Sequence, residues 1–453
     1  MMKWQKNGLI MLLVLCIGLL SACSSGSQGG GASSDGASSP QAQEAEGSGQ
    51  PKNVKLVFWN TSYPTIDANN KTKRKEDFYI YKAIKRYEEA NPGITIDIQD
   101  IPDGTNAMTK FQTAGIAKNG PDITNLWSGS YTLDLKQYLQ PLDQYLKQEQ
   151  IDALTGWNAA TENFADNGTI YGVPDGSDGT IGILYNKELF ADAGIDPEKL
   201  DLNNAKQFMD MLQKIKDKGF TPIGMGDDGD FVYFLDYWFA QMVGTAGIND
   251  ITNGKMKFNN PELLNVVQQY VQLYKNGFVT NDQPQTQFYN GKVALIFGGF
   301  GYIKDARAAL GDKLGMMKIP DFSESALVHN GGVGGSGADF VVSKSSEHPE
   351  EALKFIMFLL SEEEQIARFK DGYGKLLNVK NVDVSKLTDD PLIVQQQQWA
   401  NEESTIFWPD NIYPSELSSY ISSLNSLVIK QQLSAEDFLS KLDQKRDEII
   451  AQK

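Results

Sequence analysis

Between residues 54 and 98 the apolar residues change period twice. Val54-Lys55-Leu56-Val57-Phe58-Trp59 carries apolar side chains on both faces, the pattern of a strand in a sheet covered from both sides. From Asp77 to Ala90 the spacing becomes helical, with Ile80, Tyr81, Ile84 and Tyr87 on one stripe, and Asn91-Pro92-Gly93 stops it. Ile94, Ile96 and Ile98 then alternate as a second strand. Strand, helix and strand in close succession predict a parallel sheet and confine the chain to the α/β class.

The same alternation continues. Phe208, Met211, Leu212 and Ile215 mark a helix that Gly219 closes. Leu263, Val266, Val267, Tyr270, Val271 and Tyr274 mark another, ending at Asn276-Gly277. A third follows Pro349 through Ala352, Phe355, Ile356 and Leu359. Ser434 and Asp437 form an approximate N-cap for a last helix bearing Phe438, Leu439 and Leu442. Val293–Phe297 and Phe340–Val342 read as buried strands. There is no internal repeat, and no Gly/Ser linker recurs after residue 50. A second lobe must therefore be joined to the first by strands.

The N-terminus is of another kind. Lys3 and Lys6 precede an apolar run, Leu9 to Leu20, which is too short to span a bilayer and fits the core of a secretory signal. The run ends in Leu20-Ser21-Ala22-Cys23, which resembles the lipobox of bacterial lipoproteins. That resemblance implies removal of residues 1–22 as a signal peptide and a diacylglyceride and palmitate anchor on Cys23. Residues 23–52 then form the lipidated cysteine and a flexible tether. From Ser24 to Gln50 no Leu, Ile, Val or aromatic occurs, so the segment has nothing to bury. Such a tether reaches roughly 29 Å root-mean-square. The expected location is the cell surface, on the outer face of the cytoplasmic membrane.

Composition narrows the chemistry. With 41 Lys+Arg against 58 Asp+Glu the formal charge is −17, which argues against nucleic acid as a partner. Two Cys and two His leave little for a zinc cage or a Cys/His catalytic centre. No cofactor and no metal are expected. Gly332-Val333-Gly334-Gly335-Ser336-Gly337 matches GxGxxG, but Ala338-Asp339-Phe340-Val341-Val342 after it reads as a strand, where a dinucleotide site needs a helix. A tight glycine-rich crossing is the better reading. Asp175, Asp178, Asp227, Asp228 and Asp230 form two acidic clusters, open to four readings: a calcium loop, a glycosidase carboxylate pair, acceptors for ligand hydroxyls, or solvated turns. The calcium reading lacks its Glu: twelve-residue loops starting at Asp175 and Asp227 end on Asn186 and Trp238.

Eight landmarks fall in one order along the chain: Glu88-Glu89-Ala90-Asn91-Pro92-Gly93-Ile94, Gly120-Pro121-Asp122-Ile123, Leu139-Gln140-Pro141-Leu142-Asp143, Tyr171-Gly172-Val173-Pro174, Leu184-Tyr185-Asn186-Lys187-Glu188-Leu189-Phe190, Ala193-Gly194, Gly291-Lys292-Val293-Ala294 and Gly331-Gly332-Val333. This order resembles the bacterial extracellular solute-binding proteins of the carbohydrate type, the maltose-binding group. The resemblance implies an α/β, two-lobed periplasmic-binding-protein-like (type II) fold with a strand hinge. Lobe 1 would be residues 53–175 and 336–385, and lobe 2 residues 176–335 and 386–453. The chain would cross near Pro174–Asp178 and Gly332–Ala338. The implied function is capture of a sugar or oligosaccharide between the lobes and delivery to the membrane permease of an ABC importer, by a lipid-anchored monomer that is not an enzyme. A secreted glycoside hydrolase and a structural or adhesive envelope lipoprotein are the alternatives.

A pyranose has an apolar C–H face and a rim of hydroxyls, so its site needs aromatic faces and polar acceptors. Positions matching the family's inner loops are Asn60, Tyr63, Trp127, Ser128, Asp178 and Phe300, with Asp228 as a further acceptor and Trp408 as a further aromatic. Phe300 stands where the maltose-type pattern has a Trp. No Lys or Arg falls at these positions, which predicts a neutral ligand. Trp59, Trp157 and Trp238 read as packing residues.

Overall fold

The structure is a computed structural model that describes residues 53–66, 72–101, 104–161, 168–200, 202–226, 230–329, 331–372, 374–402 and 406–452. The signal segment, Cys23, the tether and Asp228 lie outside the described residues. Among the described residues, no helix is long and apolar enough to cross a membrane.

Twelve strands are seen among these residues: β1 (Val54–Asn60), β2 (Ile94–Asp100), β3 (Ile123–Trp127), β4 (Gly172–Pro174), β5 (Thr180–Asn186), β6 (Thr221–Gly224), β7 (Val279–Thr280), β8 (Val293–Gly298), β9 (Leu314–Met317), β10 (Val333–Gly334), β11 (Ala338–Val342) and β12 (Ile406–Phe407). They make two sheets, ordered β2-β1-β3-β11-β4 and β12-β10-β5-β8-β6-β7, with β9 also on β5. The early β-α-β reading holds, since β1 pairs in parallel with β2 and with β3. The first sheet is nevertheless mixed. Strands β4 and β11 pair antiparallel with each other, and β11 runs antiparallel to β3. The reason is connectivity. β11 enters this sheet directly from the other one, without the helical crossover that a parallel neighbour requires.

The helices follow their apolar stripes. Tyr79–Ala90 buries Ile80, Ala83, Ile84 and Tyr87. Ala205–Asp217 buries Phe208, Met211, Leu212 and Ile215. Asn260 caps Pro261–Lys275 by accepting from Glu262 N and Leu263 N. Ser434 does the same for Ala435–Ala451 through Asp437 N. Asp230–Thr252 is broken at Gly244, whose φ of 64° and ψ of 177° leave the helical region. Each sheet has its own core: Phe58, Tyr63, Phe340 and Phe355 in the first lobe, and Phe208, Trp238, Phe239 and Tyr270 in the second. Trp59, Trp157 and Trp238 are all buried.

The lobes are joined by extended chain. Asp175–Gly179 runs from β4 to β5, and Gly335–Gly337 runs from β10 to β11. The two segments hydrogen-bond to each other: Asp178 N donates to Gly335 O at 2.9 Å and Gly335 N to Gly179 O at 3.2 Å. A third segment joins them through Ser177 N to Leu376 O, 3.0 Å, and Leu376 N to Ser177 O, 2.7 Å. A Cβ on Gly334 would lie 2.0 Å from Gly179 O, so only glycine permits this approach. The GxGxxG segment is thus a crossing between sheets, not a phosphate loop.

Candidate functional site

A cleft of about 580 Å³ lies against these crossings. Thr61, Ser62, Met108, Asn125, Trp127 and Tyr131 line it from the first lobe. Ile181, Gly299, Gly301, Tyr302, Trp408, Asp410 and Asn411 line it from the second, and Asp178, Gly337, Ala338 and Lys375 from the crossings. This mixture of aromatic faces with a few convergent polar groups is what a small-molecule pocket requires.

The aromatic groups sit at opposite ends of the chain. Trp127 ends β3 and is 40% exposed, a large value for a Trp beside a core. Tyr131 meets it edge-on, with ring centroids 5.2 Å apart at 83°, and Gly104 leaves room for its benzo edge. Trp408 follows β12 and also lines the cleft, but it is 7% exposed and presents only a margin.

Three charged side chains line the cleft among the described residues. Asp178 and Lys375 neutralise each other at 2.9 Å, and the Asp178 Oδ2 also accepts from Gly337 N at 2.7 Å. Asp410 has no cationic partner, although the backbone N–H groups of Asp410 and Asn411 oppose the rise of its carboxyl. It keeps an edge on the cleft while its Oδ1 is sealed from solvent without a hydrogen bond. Burial pushes its carboxyl up to about 6. Behind it Asp236 is 1% exposed, and burial followed by the Asp410 charge drives its carboxyl well above the usual range. Desolvation of the half-buried Tyr131, followed by the Asp410 charge, pushes its phenol up to about 12. On the first-lobe side Asn125 donates its Nδ2 to Asp175 at 3.1 Å, and Asp175 is held by Arg368 at 2.8 Å.

Residues 82–393 match the family model described as bacterial extracellular solute-binding protein. The chain belongs to this family. It is an extracellular solute-binding protein, and its relatives are binding proteins. The Multiple sugar-binding protein of Streptococcus mutans is 22% identical over 89% of this chain and 92% of that one. An uncharacterized ABC transporter extracellular-binding protein of Pyrococcus horikoshii is 24% identical over 62% of this chain and 64% of that one. Among solved structures, a chitin oligosaccharide binding protein superposes with a TM-score of 0.72 at 21% identity, covering 87% of this chain and 98% of that one. The sugar-binding protein MalE from Xanthomonas citri superposes with a TM-score of 0.68 at 20% identity, covering 88% and 98%. At these identities the superpositions establish the two-lobed fold.

In this solute-binding protein the residues expected at the cleft separate into two groups. Trp127, Asp178 and Trp408 line it. Asn60, Tyr63, Ser128 and Phe300 do not. Asn60 closes a turn on itself: its Oδ1 accepts from Tyr63 N at 2.8 Å and its Nδ2 donates to Tyr63 O at 2.9 Å and Asp100 Oδ1 at 3.0 Å. That turn folds Tyr63 back into the first core, stacked on Phe340 with centroids 6.1 Å apart. Thr61 and Ser62 are left to face the cleft. Ser128 is fully buried behind the wall. It donates to Ser336 O at 2.6 Å and accepts from Asn411 Nδ2 at 2.7 Å, bracing one lobe on the other. Phe300 opens the Phe300–Leu310 helix, and its ring stacks on Phe369 of the first lobe at 6.3 Å and 16°. Gly299, Gly301 and Tyr302 line the cleft in its place.

Sequence reasoning missed Tyr131, Asn125, Lys375 and Asp410. Lys375 brings to the cleft a cation that none of the positions named from the sequence supplies. For Asp410 a signal existed, since it directly follows Trp408-Pro409. Lys375 had none, because only the third crossing segment brings it beside Asp178.

Proposed function

We propose that this protein captures an uncharged sugar or oligosaccharide between its lobes and delivers it to the permease of an ABC importer. The observation that carries the reading is the pairing of an exposed Trp127 face with polar groups that leave no free positive charge in the cleft, because Lys375 is spent on Asp178. The sugar-binding names of its relatives support it. The glycerol-phosphate specificity in the name of another relative fits less well, since an anion would meet Asp410 at the cleft wall. The division into lobes of residues 53–175 with 336–385 and 176–335 with 386–453, acting as a monomer, belongs to this reading.

A thermal-shift screen with maltotriose, xylotriose and chitotriose tests it. A ligand at 100 times its Kd adds about 2.7 kcal/mol of stability. No shift with any saccharide, together with a shift from an anionic solute, would overturn the sugar reading. Membrane attachment through Cys23 is the second part of the proposal. Cys23→Ser is expected to leave unprocessed precursor or to release the protein into the medium. A variant processed and retained like wild type would refute the anchor.

A further inference from the structure

Three segments of chain cross between the lobes, and they meet at one side chain. Asp178 lies on the first, Gly337 on the second and Lys375 on the third. Asp178 Oδ2 accepts from Gly337 N at 2.7 Å and from Lys375 Nζ at 3.0 Å, and its Oδ1 lies 2.9 Å from the same ammonium. Backbone bonds also tie the first segment to each of the others, through Gly335 and through Leu376. Among the described residues no backbone hydrogen bond joins the second segment to the third. The Asp178 carboxylate makes that link. Gly337 leaves room for it: a Cβ there would lie 2.3 Å from Asp178 Oδ2 and 3.3 Å from its Cγ, and would meet nothing else within 4 Å beyond its chain neighbours. Gly337 is not in a left-handed conformation, so what the position requires is space for this carboxylate. The Lys375 side chain is 11% exposed, so solvent screens the pair only weakly.

We propose that Asp178 is a positioning residue for capture: its carboxylate pins the three crossing segments to one another and so sets how the cleft walls of the two lobes face each other. The inference rests on the reading of capture between the lobes, and it gives Asp178 a role other than the ligand acceptor expected from the sequence. Moving one lobe against the other changes φ and ψ in the crossing segments. While the pin holds, the three segments turn together. Without it each samples angles of its own, and a smaller fraction of molecules presents both walls as a ligand needs them. The apparent affinity falls with that fraction, by the same factor for every ligand. A lost ligand contact acts differently, because its cost depends on which hydroxyls the ligand offers to it.

The test is calorimetric titration of the full chain in detergent with maltotriose, xylotriose and chitotriose, alongside hydrogen exchange of the empty protein. Asp178→Ala should weaken every trisaccharide that binds by one common factor, about three- to tenfold. Gly337→Ala should do the same by expelling the carboxylate. The double variant should bind like Asp178→Ala alone, because the added methyl group then has nothing to displace. In the empty protein Asp178→Ala should speed exchange of the Ser177, Gly335 and Leu376 amides, none of which bonds to the carboxylate itself, and leave the amides of both cores unchanged. Losses that differ among the trisaccharides by more than about threefold would make Asp178 a ligand contact and overturn the proposal. Additive losses in the double variant would overturn it too, and this arm decides when only one trisaccharide binds. If none binds, exchange decides alone. Faster exchange at the three amides keeps the pin while the sugar reading fails, and unchanged exchange refutes the pin.

Discussion

Asp175 at the crossing and Asp236 in the second-lobe wall are both fully buried, and burial drives both carboxyls upward. Their surroundings differ. Asp175 is held by Arg368 at 2.8 Å and by Asn125 at 3.1 Å, and Lys375 lies near enough to oppose its rise. Asp236 has only another acid, Asp410, and an Oδ1 with no partner. A buried charge that the fold itself compensates is part of the scaffold. One that the fold leaves uncompensated costs stability.

The most severe way to break this comparison is to strip Asp175 of its partner. Arg368→Met should destabilise the protein by about 3–5 kcal/mol, because it leaves a charge buried alone. Chemical denaturation reads the loss, and adding Asp175→Asn to the same chain should recover a large part of it. A single variant that loses under about 1 kcal/mol would mean that the crossing does not depend on the pair.

The opposite sign is expected at the wall. Asp236→Asn should raise stability at neutral pH, on the order of 1–3 kcal/mol, the usual cost of a buried polar group without a partner. The pH window follows from the raised carboxyl. The folded protein holds this proton more tightly than the unfolded chain, so the contribution of Asp236 is most favourable below about pH 3.9 and is lost as pH rises toward its folded value. The gain from Asn should vanish in acid. A variant less stable than wild type at pH 7.5 would erase the distinction between the two regions.

The contrast also explains what could be read from the sequence. Strand β1, the Tyr79–Ala90 helix and β2 were legible because burial imposes a period on a contiguous segment. The glycine-rich crossing was legible because glycine marks close backbone approach. Trp127 and Asp178 could be placed at the cleft wall because each lies shortly after one of the sequence landmarks. Arg368 and Lys375 were not legible, since their partners lie 193 and 197 residues away and no periodicity records such a pairing. Tyr63 and Ser128 were misplaced by local geometry. A turn closed by Asn60 reverses one, and the other sits one residue past the exposed Trp127, where the chain turns inward.

Trp127 gives a smaller and purely functional effect. Its fold role is slight because 40% of it is already exposed, and a ligand covers only that part. Trp127→Ala should weaken saccharide binding by about tenfold, the equivalent of roughly 1.4 kcal/mol, and leave the denaturation midpoint nearly unchanged. Trp408→Ala, at a residue 7% exposed, should lower both binding and stability. If the two variants behave alike, the cleft does not have the one open and one closed aromatic face described above.

Ser128→Ala is the smallest perturbation and the sharpest check on the line between scaffold and site. Its hydroxyl touches no space that a ligand can enter. It links Ser336 O of the crossing to Asn411 of the second lobe. Removing it leaves a buried carbonyl and a buried amide short of one partner each, which should lower stability by about 1 kcal/mol. Binding should change by less than about threefold, well under 1 kcal/mol, and only through the positions of Asn411 and Gly337 beside it. Parallel calorimetry and denaturation of the variant separate the two outcomes. A tenfold loss of affinity at unchanged stability would make Ser128 a ligand contact, and the lobe contact it now braces would have to open whenever the cleft fills.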